Sequence, residues 1–160
     1  MKPAFIAAAA LAIAPMAEAQ AACAEIERIN AASLKDFDDL TGAGIDDYVY
    51  TATLKLPNAA GCVIEIDLEV IYSCVWNFAA REEAERAYAT QAAAMAPCLE
   101  GWDFMTLQGN SQMRTGVTMV SGVNYAGSGK FEGAEWQLSL NQYDSGSVAP
   151  YRLWIEMILY

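Results

Sequence analysis

The stretch that decides the fold is residues 62–76, which read CVIEIDLEVIYSCVW. On both sides of Leu68 every second residue is apolar, which is typical of two β-strands that share one buried face. If the chain turns at Leu68, three apolar pairs meet on that face. The pairs are Ile66 with Val70, Ile64 with Tyr72, and Cys62 with Cys74. We therefore predict a β-hairpin that is closed by a disulfide between its two cysteines.

The first residues have the composition of an export signal. Lys2 is followed by an apolar run from Ala4 to Ala14, and small residues stand at positions −3 and −1 of a cleavage site after Ala19. We predict a signal peptide over residues 1–19, which is removed, and a single domain over residues 20–160 in the periplasm or outside the cell. The apolar run is shorter than the roughly 18 residues that a membrane-spanning helix needs, so we predict no membrane span.

A lipoprotein signal is the alternative interpretation of the leader. In that case Cys23 becomes a lipidated N-terminus, anchored to a membrane surface. Ala21 and Ala22 fit such a signal, but Gln20 does not. Lipidation would also leave an odd number of cysteines for pairing, so we favour the soluble form.

All four cysteines follow the predicted leader. An even number of cysteines in an exported protein indicates a disulfide framework. If the hairpin joins Cys62 to Cys74, the remaining bridge joins Cys23 to Cys98 and ties the N-terminal segment to the chain after the central helix. We interpret both bridges as structural, because a redox pair would favour the Cys-x-x-Cys spacing, which this sequence lacks.

Two helices are predicted from a periodicity of three and four residues. The first extends from Ala24 to Leu40 and should end before Gly42 and Gly44. The second extends from Arg81 to Met95, which is rich in the strong helix formers Ala and Glu. Its stripe of small residues should pack on the sheet.

Strand patterns occupy most of the remaining chain. Residues 48–56 alternate and, with the hairpin, give three consecutive strands. Three more are predicted at about residues 115–125, 131–143 and 151–160, and residues 102–107 form a shorter extended piece. Short connections require antiparallel neighbours. The predicted fold is α+β, with the order α-β-β-β-α-β-β-β, two helices packed on an antiparallel sheet, and disulfides that staple it.

Charge and composition exclude several functions. The chain has 9 basic and 20 acidic residues, a net charge of −11, and this repels nucleic acids. It contains no histidine, which removes the usual general base and most zinc and haem ligand sets. We predict no nucleic-acid partner, no cofactor, no metal ligand and no identifiable catalytic residue.

Two apparent motifs fail on spacing. Gly127–Lys130 looks like part of a phosphate-binding loop, but Phe131 stands where Ser or Thr is needed, so we predict a turn between strands. The acidic segment Asp36–Asp47 could supply oxygen ligands for calcium, yet Thr41 stands where the EF-hand loop needs Gly. We favour a solvated acidic loop and keep calcium binding as an alternative.

The last predicted strand is apolar on both faces. One face has Tyr151, Leu153, Ile155, Met157 and Leu159, whereas the other combines apolar residues with Arg152 and Glu156. Either helices or loops cover both faces, or the second face is a contact surface. The contact surface gives our leading functional hypothesis, an interaction face formed by Arg152, Trp154, Ile158 and Tyr160.

Two functions of different classes remain. The first is a secreted or periplasmic binding module whose partner is an unknown protein, a small ligand or a second copy in a homodimer. The second is a histidine-free hydrolase of carbohydrates that uses two carboxylates and a tryptophan as a stacking platform. The candidate side chains for this enzyme are Glu65, Asp67, Glu69, Glu132, Glu135, Trp102, Trp136 and Trp154.

Overall fold

The structure is a computed structural model that describes residues 14–109, 111–114, 116–144 and 146–160. Most of the predicted signal peptide, residues 1–13, therefore lies outside the described residues, as does Thr115 at the start of a predicted strand. No helix in the described part of the chain has the length and apolar character required to cross a membrane.

Two helices and nine strands make up the fold of the described residues. In chain order they are α1 (Ala14–Ser33), β1 (Thr41–Gly44), β2 (Val49–Ala52), β3 (Gly61–Ile66), β4 (Val70–Phe78), α2 (Arg81–Met95), β5 (Asp103–Leu107), β6 (Ser111–Arg114), β7 (Val117–Ala126), β8 (Ala134–Tyr143) and β9 (Tyr151–Leu159).

The strands form one antiparallel sheet in the order β1-β2-β3-β4-β9-β8-β7-β5, and β6 also pairs with β7. The last strand, β9, therefore lies between β4 and β8 rather than at an edge. The predicted α+β class with two helices on an antiparallel sheet is confirmed. The sheet has more strands than predicted, because β1 and β6 were not predicted and residues 102–107, predicted as a shorter extended piece, contain β5.

The hairpin of β3 and β4 has the predicted register. Cys62 pairs with Cys74, Ile64 with Tyr72, and Ile66 with Val70. A disulfide joins the two cysteines, whose Cα atoms are 4.1 Å apart. Leu68 lies at the turn and is 95% exposed, while the cysteines are buried in the core. The alternating pattern and the bridge therefore specify the same pairing.

The predicted first helix is wrong at both ends, because α1 begins at Ala14 rather than at Ala24 and stops at Ser33 rather than at Leu40. Asp36 and Phe37 have φ values of 51° and 60°, which end the helix. The Phe37 N–H donates to the Ala32 carbonyl oxygen at 3.0 Å, a closure typical of helix C-termini. This conformation buries Phe37 completely, and burial of an aromatic ring offsets the cost of a left-handed backbone.

Gly42 does not act as a helix stop, since it lies inside β1. A Cβ atom at this position would lie 2.7 Å from the Thr51 carbonyl oxygen in the neighbouring strand. The glycine therefore permits close contact between β1 and β2. Because glycine has no side chain, β1 also lacks the alternating pattern by which a strand is predicted.

Residues 53–56 leave the sheet although we predicted a strand as far as Leu56. Leu54 and Leu56 are nevertheless buried. The Tyr72 hydroxyl donates to the Leu54 carbonyl oxygen at 3.0 Å, and the Trp76 indole N–H donates to the Pro57 carbonyl oxygen at 3.1 Å. Side chains of β4 thus replace the strand ladder as partners of this segment.

Both helices pack on the same face of the sheet, which we call the core face. α2 has the predicted bounds and buries Ala84 and Met95. From α1, Asn30 accepts a hydrogen bond from the indole of Trp136 at 2.8 Å. The predicted bridge from Cys23 to Cys98 is present, with Cα atoms 5.0 Å apart, and links α1 to the chain after α2.

Gly127–Lys130 lies in the connection between β7 and β8. The Gly127 N–H donates to the Ala134 carbonyl oxygen at 2.8 Å. A Cβ atom at Gly127 would lie 2.2 Å from the Phe131 carbonyl oxygen, so the turn is too tight for a side chain there. The predicted turn is confirmed.

Candidate binding face

The residues of β9 alternate between the core face and the opposite face, which we call the outer face. Leu153, Ile155 and Met157 are buried on the core face beneath the helices. Arg152, Trp154, Glu156 and Ile158, which alternate with these residues, lie on the outer face. Since α1 and α2 both pack on the core face, helices do not cover both sides of this strand within the described residues.

Strand register places uncharged polar residues together at the centre of the outer face. Ser73 and Gln137 pair with Glu156 from either side, and Asn124 pairs with Gln137 on the next strand. Two residues of β8 extend the group, one beside Trp154 and the other beside Arg152. We call the group the polar strip: Ser73, Asn124, Gln137, Ser139 and Asn141.

Most of the polar strip is buried although neither helix of the described residues lies above it. Ser73 is 2% exposed and Asn141 is 5% exposed, and Asn124 and Ser139 are similarly buried. Because these residues are short, the longer side chains around them shield them from solvent. The strip is therefore a sheltered polar layer beneath the outer surface.

Several atoms of this layer have no hydrogen-bond partner among the described residues. They are Asn124 Oδ1, Asn141 Oδ1 and, next to the strip, Arg152 Nε. The Ser73 hydroxyl differs from them, because it interacts with the Glu156 carboxyl. By contrast, Asn141 Nδ2 donates to Ser139 Oγ at 3.0 Å. Buried polar atoms in folded proteins are nearly always paired, so the strip has hydrogen-bonding capacity that the described chain leaves unused.

Arg152 and Trp154 lie over this part of the sheet. The Arg152 guanidinium carbon is 4.4 Å from the centre of the Tyr143 ring, a cation–π contact that positions the charge. Trp154 is half-buried and pairs with Ser139 and Val75 on the neighbouring strands. An aromatic plane and a fixed cation therefore lie beside the unpaired polar atoms.

Glu156 is the carboxyl group at the centre of the face, and sequence reasoning did not single it out. Burial raises the pKa of Glu156 to about 7, and the charge of Glu65 contributes in the same direction. The Ser73 hydroxyl opposes this rise in pKa. The alternation of β9 placed Glu156 on the mixed face, but only the register with β4 and β8 shows its surroundings.

Three residues of the predicted interaction face lie on the outer face of β9, the fourth, Tyr160, follows its end, and the four differ in exposure. Ile158 is buried, Arg152 and Trp154 are half-buried, and Tyr160 is 70% exposed. Burial raises the pKa of the Tyr160 hydroxyl, and the nearby Glu135 adds to this effect. Ile158 therefore packs beneath the face and offers little surface for contact with a partner.

The candidate side chains for a hydrolase are scattered. Trp136 is completely buried on the core face and cannot act as a stacking platform, and Trp102 stacks on Phe131 with ring centres 5.3 Å apart. Trp154 is the one of the three that lies on the outer face. Among the acids, Glu65 lies near Glu156, whereas Asp67 and Glu69 flank the exposed hairpin turn.

The acidic segment Asp36–Asp47 uses some of its carboxylates locally. Asp39 pairs with Lys35 at 2.8 Å, and Asp46 Oδ1 accepts the N–H groups of Tyr48 and Val49, both at 2.9 Å. Within the described residues, no three acidic or cysteine side chains come together as a metal site.

No protein-family model, curated protein or solved structure matches this chain. The function is therefore inferred from the geometry of the outer face itself.

Proposed function

We propose that the protein is an exported, disulfide-stabilised binding module and that the outer face around β9 is its binding surface. The observation that carries this proposal is the set of buried, unpaired polar atoms beside Arg152 and Trp154. Leaving such atoms unpaired costs stability. Ligand binding would offset this loss of stability, because a ligand can supply the missing hydrogen bonds.

The two disulfides support an oxidising location, either the periplasm or the extracellular space. The partner is a small ligand or another protein, and a second copy of the chain is one such protein. Lipidation at Cys23 is the less favoured form, because it would break the bridge to Cys98.

A photo-crosslinking amino acid at position 160 tests the proposed surface. Benzoylphenylalanine replaces Tyr160, the exposed aromatic residue of the predicted interaction face, in the exported protein, and the matched control carries it at Leu34, an exposed residue after the end of α1. We expect a discrete adduct from position 160 and none from position 34. An adduct of twice the chain mass identifies a homodimer. No adduct, or the same adduct from both positions, contradicts the proposal.

The second candidate is the histidine-free hydrolase, and Glu156 is the observation that favours it. A general acid must hold its proton near the working pH, which a carboxyl with a pKa of about 7 does. Glu65 would be the second carboxylate. Release of nitrophenol from nitrophenyl glycosides by the wild type, lost in Glu156→Gln but kept in the control Glu100→Gln at an exposed position, would support this candidate. No release by the wild type would reject it.

A further inference from the structure

We infer that the outer face binds a neutral, polyhydroxylated ligand of carbohydrate type, which lies along the polar strip and stacks on Trp154. The inference rests on the proposed binding function and adds the chemical class of the ligand. It follows from three properties of the face: its unused hydrogen bonds, its charge and its aromatic plane.

The unused hydrogen-bonding atoms are of both kinds. Asn124 Oδ1 and Asn141 Oδ1 can only accept, and Arg152 Nε can only donate. A carboxylate or phosphate ligand would satisfy donors alone, and an ammonium group would satisfy acceptors alone. A hydroxyl group both donates and accepts, so a ligand rich in hydroxyls can pair with every one of these atoms.

The charges of the face favour a neutral ligand. Glu65 and Glu135 lie near it, and the chain as a whole has a net charge of −11, which opposes an anion. The guanidinium of Arg152, next to the strip, opposes a cation, and the Glu156 carboxyl at the centre of the face opposes an anion. The polar strip itself consists of amides and hydroxyls without formal charge.

Apolar surface beside the strip fits the carbon skeleton of such a ligand. The half-buried Trp154 offers a flat ring, on which the C–H groups of a sugar can pack. At Gly122, which pairs with Ser139, an added Cβ would lie 3.0 Å from side-chain atoms of Leu107 and Met119. These two side chains close over the glycine and bound the strip on the β7 side.

The burial of the strip also predicts how binding proceeds. Its unpaired atoms are shielded from solvent, so a ligand reaches them only when longer side chains above them move aside. Trp154 and Arg152 are half-buried and lie beside Ser139 and Asn141 on the neighbouring strand. A ligand that binds here must therefore change the surroundings of Trp154.

The test is an NMR titration of the ¹⁵N-labelled, disulfide-bonded protein with maltotriose, cellotriose and triacetylchitotriose at millimolar concentrations. We expect at least one sugar to shift the Trp154 indole signal and the amide signals of residues 137–141. Asn124→Ala and Trp154→Ala should each weaken binding about tenfold, a loss equivalent to one good contact. Leu34→Ser is the matched control and should bind like the wild type.

Three outcomes overturn the inference. One is the absence of shifts on the outer face with all three sugars, another is shifts confined to the helices, and the third is tighter binding of spermidine or citrate to the same residues. The crosslinking experiment shows whether only the ligand class is wrong or the proposed binding function as well. If position 160 still forms its adduct, the binding surface stands and the ligand class is wrong; if it does not, the proposed function fails as well.

Discussion

The indole N–H of Trp136 donates a 2.8 Å hydrogen bond to the side-chain oxygen of Asn30, joining β8 to α1 across 106 residues of sequence. Both residues are buried on the core face. The bond satisfies a polar group that would otherwise be unpaired inside an apolar core, and it fixes the position of α1 on the sheet.

Trp136→Phe should lower the free energy of unfolding by about 2 to 4 kcal/mol, because it leaves Asn30 Oδ1 unpaired and creates a cavity. Asn30→Leu alone should also lower the free energy of unfolding, since it leaves the Trp136 indole N–H without a hydrogen-bond partner. The double variant should lose less than the sum of the two, and urea denaturation of all four proteins measures this coupling. Strictly additive losses would show that the bond contributes nothing.

The two disulfides should contribute unequally to stability. The bridge from Cys23 to Cys98 spans 75 residues and that from Cys62 to Cys74 spans 12. In the loop-entropy model, replacing both cysteines by Ala should cost about 4.5 kcal/mol for the long loop and about 3 kcal/mol for the short one. Urea unfolding of the two double variants checks the order, and a larger loss for the short loop would contradict it.

Two serines of the polar strip should respond differently to removal of the hydroxyl. Ser139 Oγ accepts a hydrogen bond from Asn141, so Ser139→Ala should destabilise by about 1 to 2 kcal/mol at any pH. The Ser73 hydroxyl lowers the pKa of Glu156, so Ser73→Ala should destabilise by about 1 kcal/mol above pH 7, where the carboxylate is ionised, and have little effect near pH 4. Thermal unfolding of both variants at pH 4 and pH 8 distinguishes them, and equal losses at pH 4 would contradict the prediction.

Glu156 should make the protein less stable as the pH rises. The pKa of Glu156 is about 7 in the folded protein, against an ordinary value of 4.5, because of burial and the charge of Glu65, while the Ser73 hydroxyl opposes the rise. Tyr160 also faces this carboxyl. The folded state holds the proton more tightly, so its contribution to stability is fully present below pH 4.5 and is lost as the pH rises through 7.

Glu156→Gln should therefore be more stable than the wild type at pH 8, by up to about 3 kcal/mol, and equal to it near pH 4. Urea unfolding across this pH range measures the difference. The control is Glu132→Gln, which removes the same charge from an exposed position. If both variants change stability equally at pH 8, net charge is responsible and the burial of Glu156 is not.

The core of the fold was predictable because its signals are local and redundant. Around Leu68 the alternation of side chains and the positions of two cysteines agree on one register. The bounds of α2 followed from its composition. The end of α1 could not be predicted in this way, because the left-handed conformation of Phe37 depends on a core assembled from distant strands.

The site was only partly predictable. The pattern of β9 alone indicated the mixed face with Arg152 and Trp154. The polar strip, however, draws Ser73 from β4, Asn124 from β7 and three residues from β8. Only the register of the paired strands brings these residues together. In the sequence, each one alone is indistinguishable from an ordinary solvent-facing residue. The raised pKa of Glu156 depends on the same assembly.

The position of β9 has a consequence for how the chain acquires its structure. β1–β4 form one half of the sheet and β5–β8 the other, and β9 joins the two halves by pairing with β4 and β8. Folding of the whole sheet must therefore wait for residues 151–159. Pairing between segments so distant in sequence is intrinsically slow. If the chain passes through an export channel with its N-terminus first, the two half-sheets stay separate until residues 151–159 have crossed. The outer face would then be the last part of the fold to form.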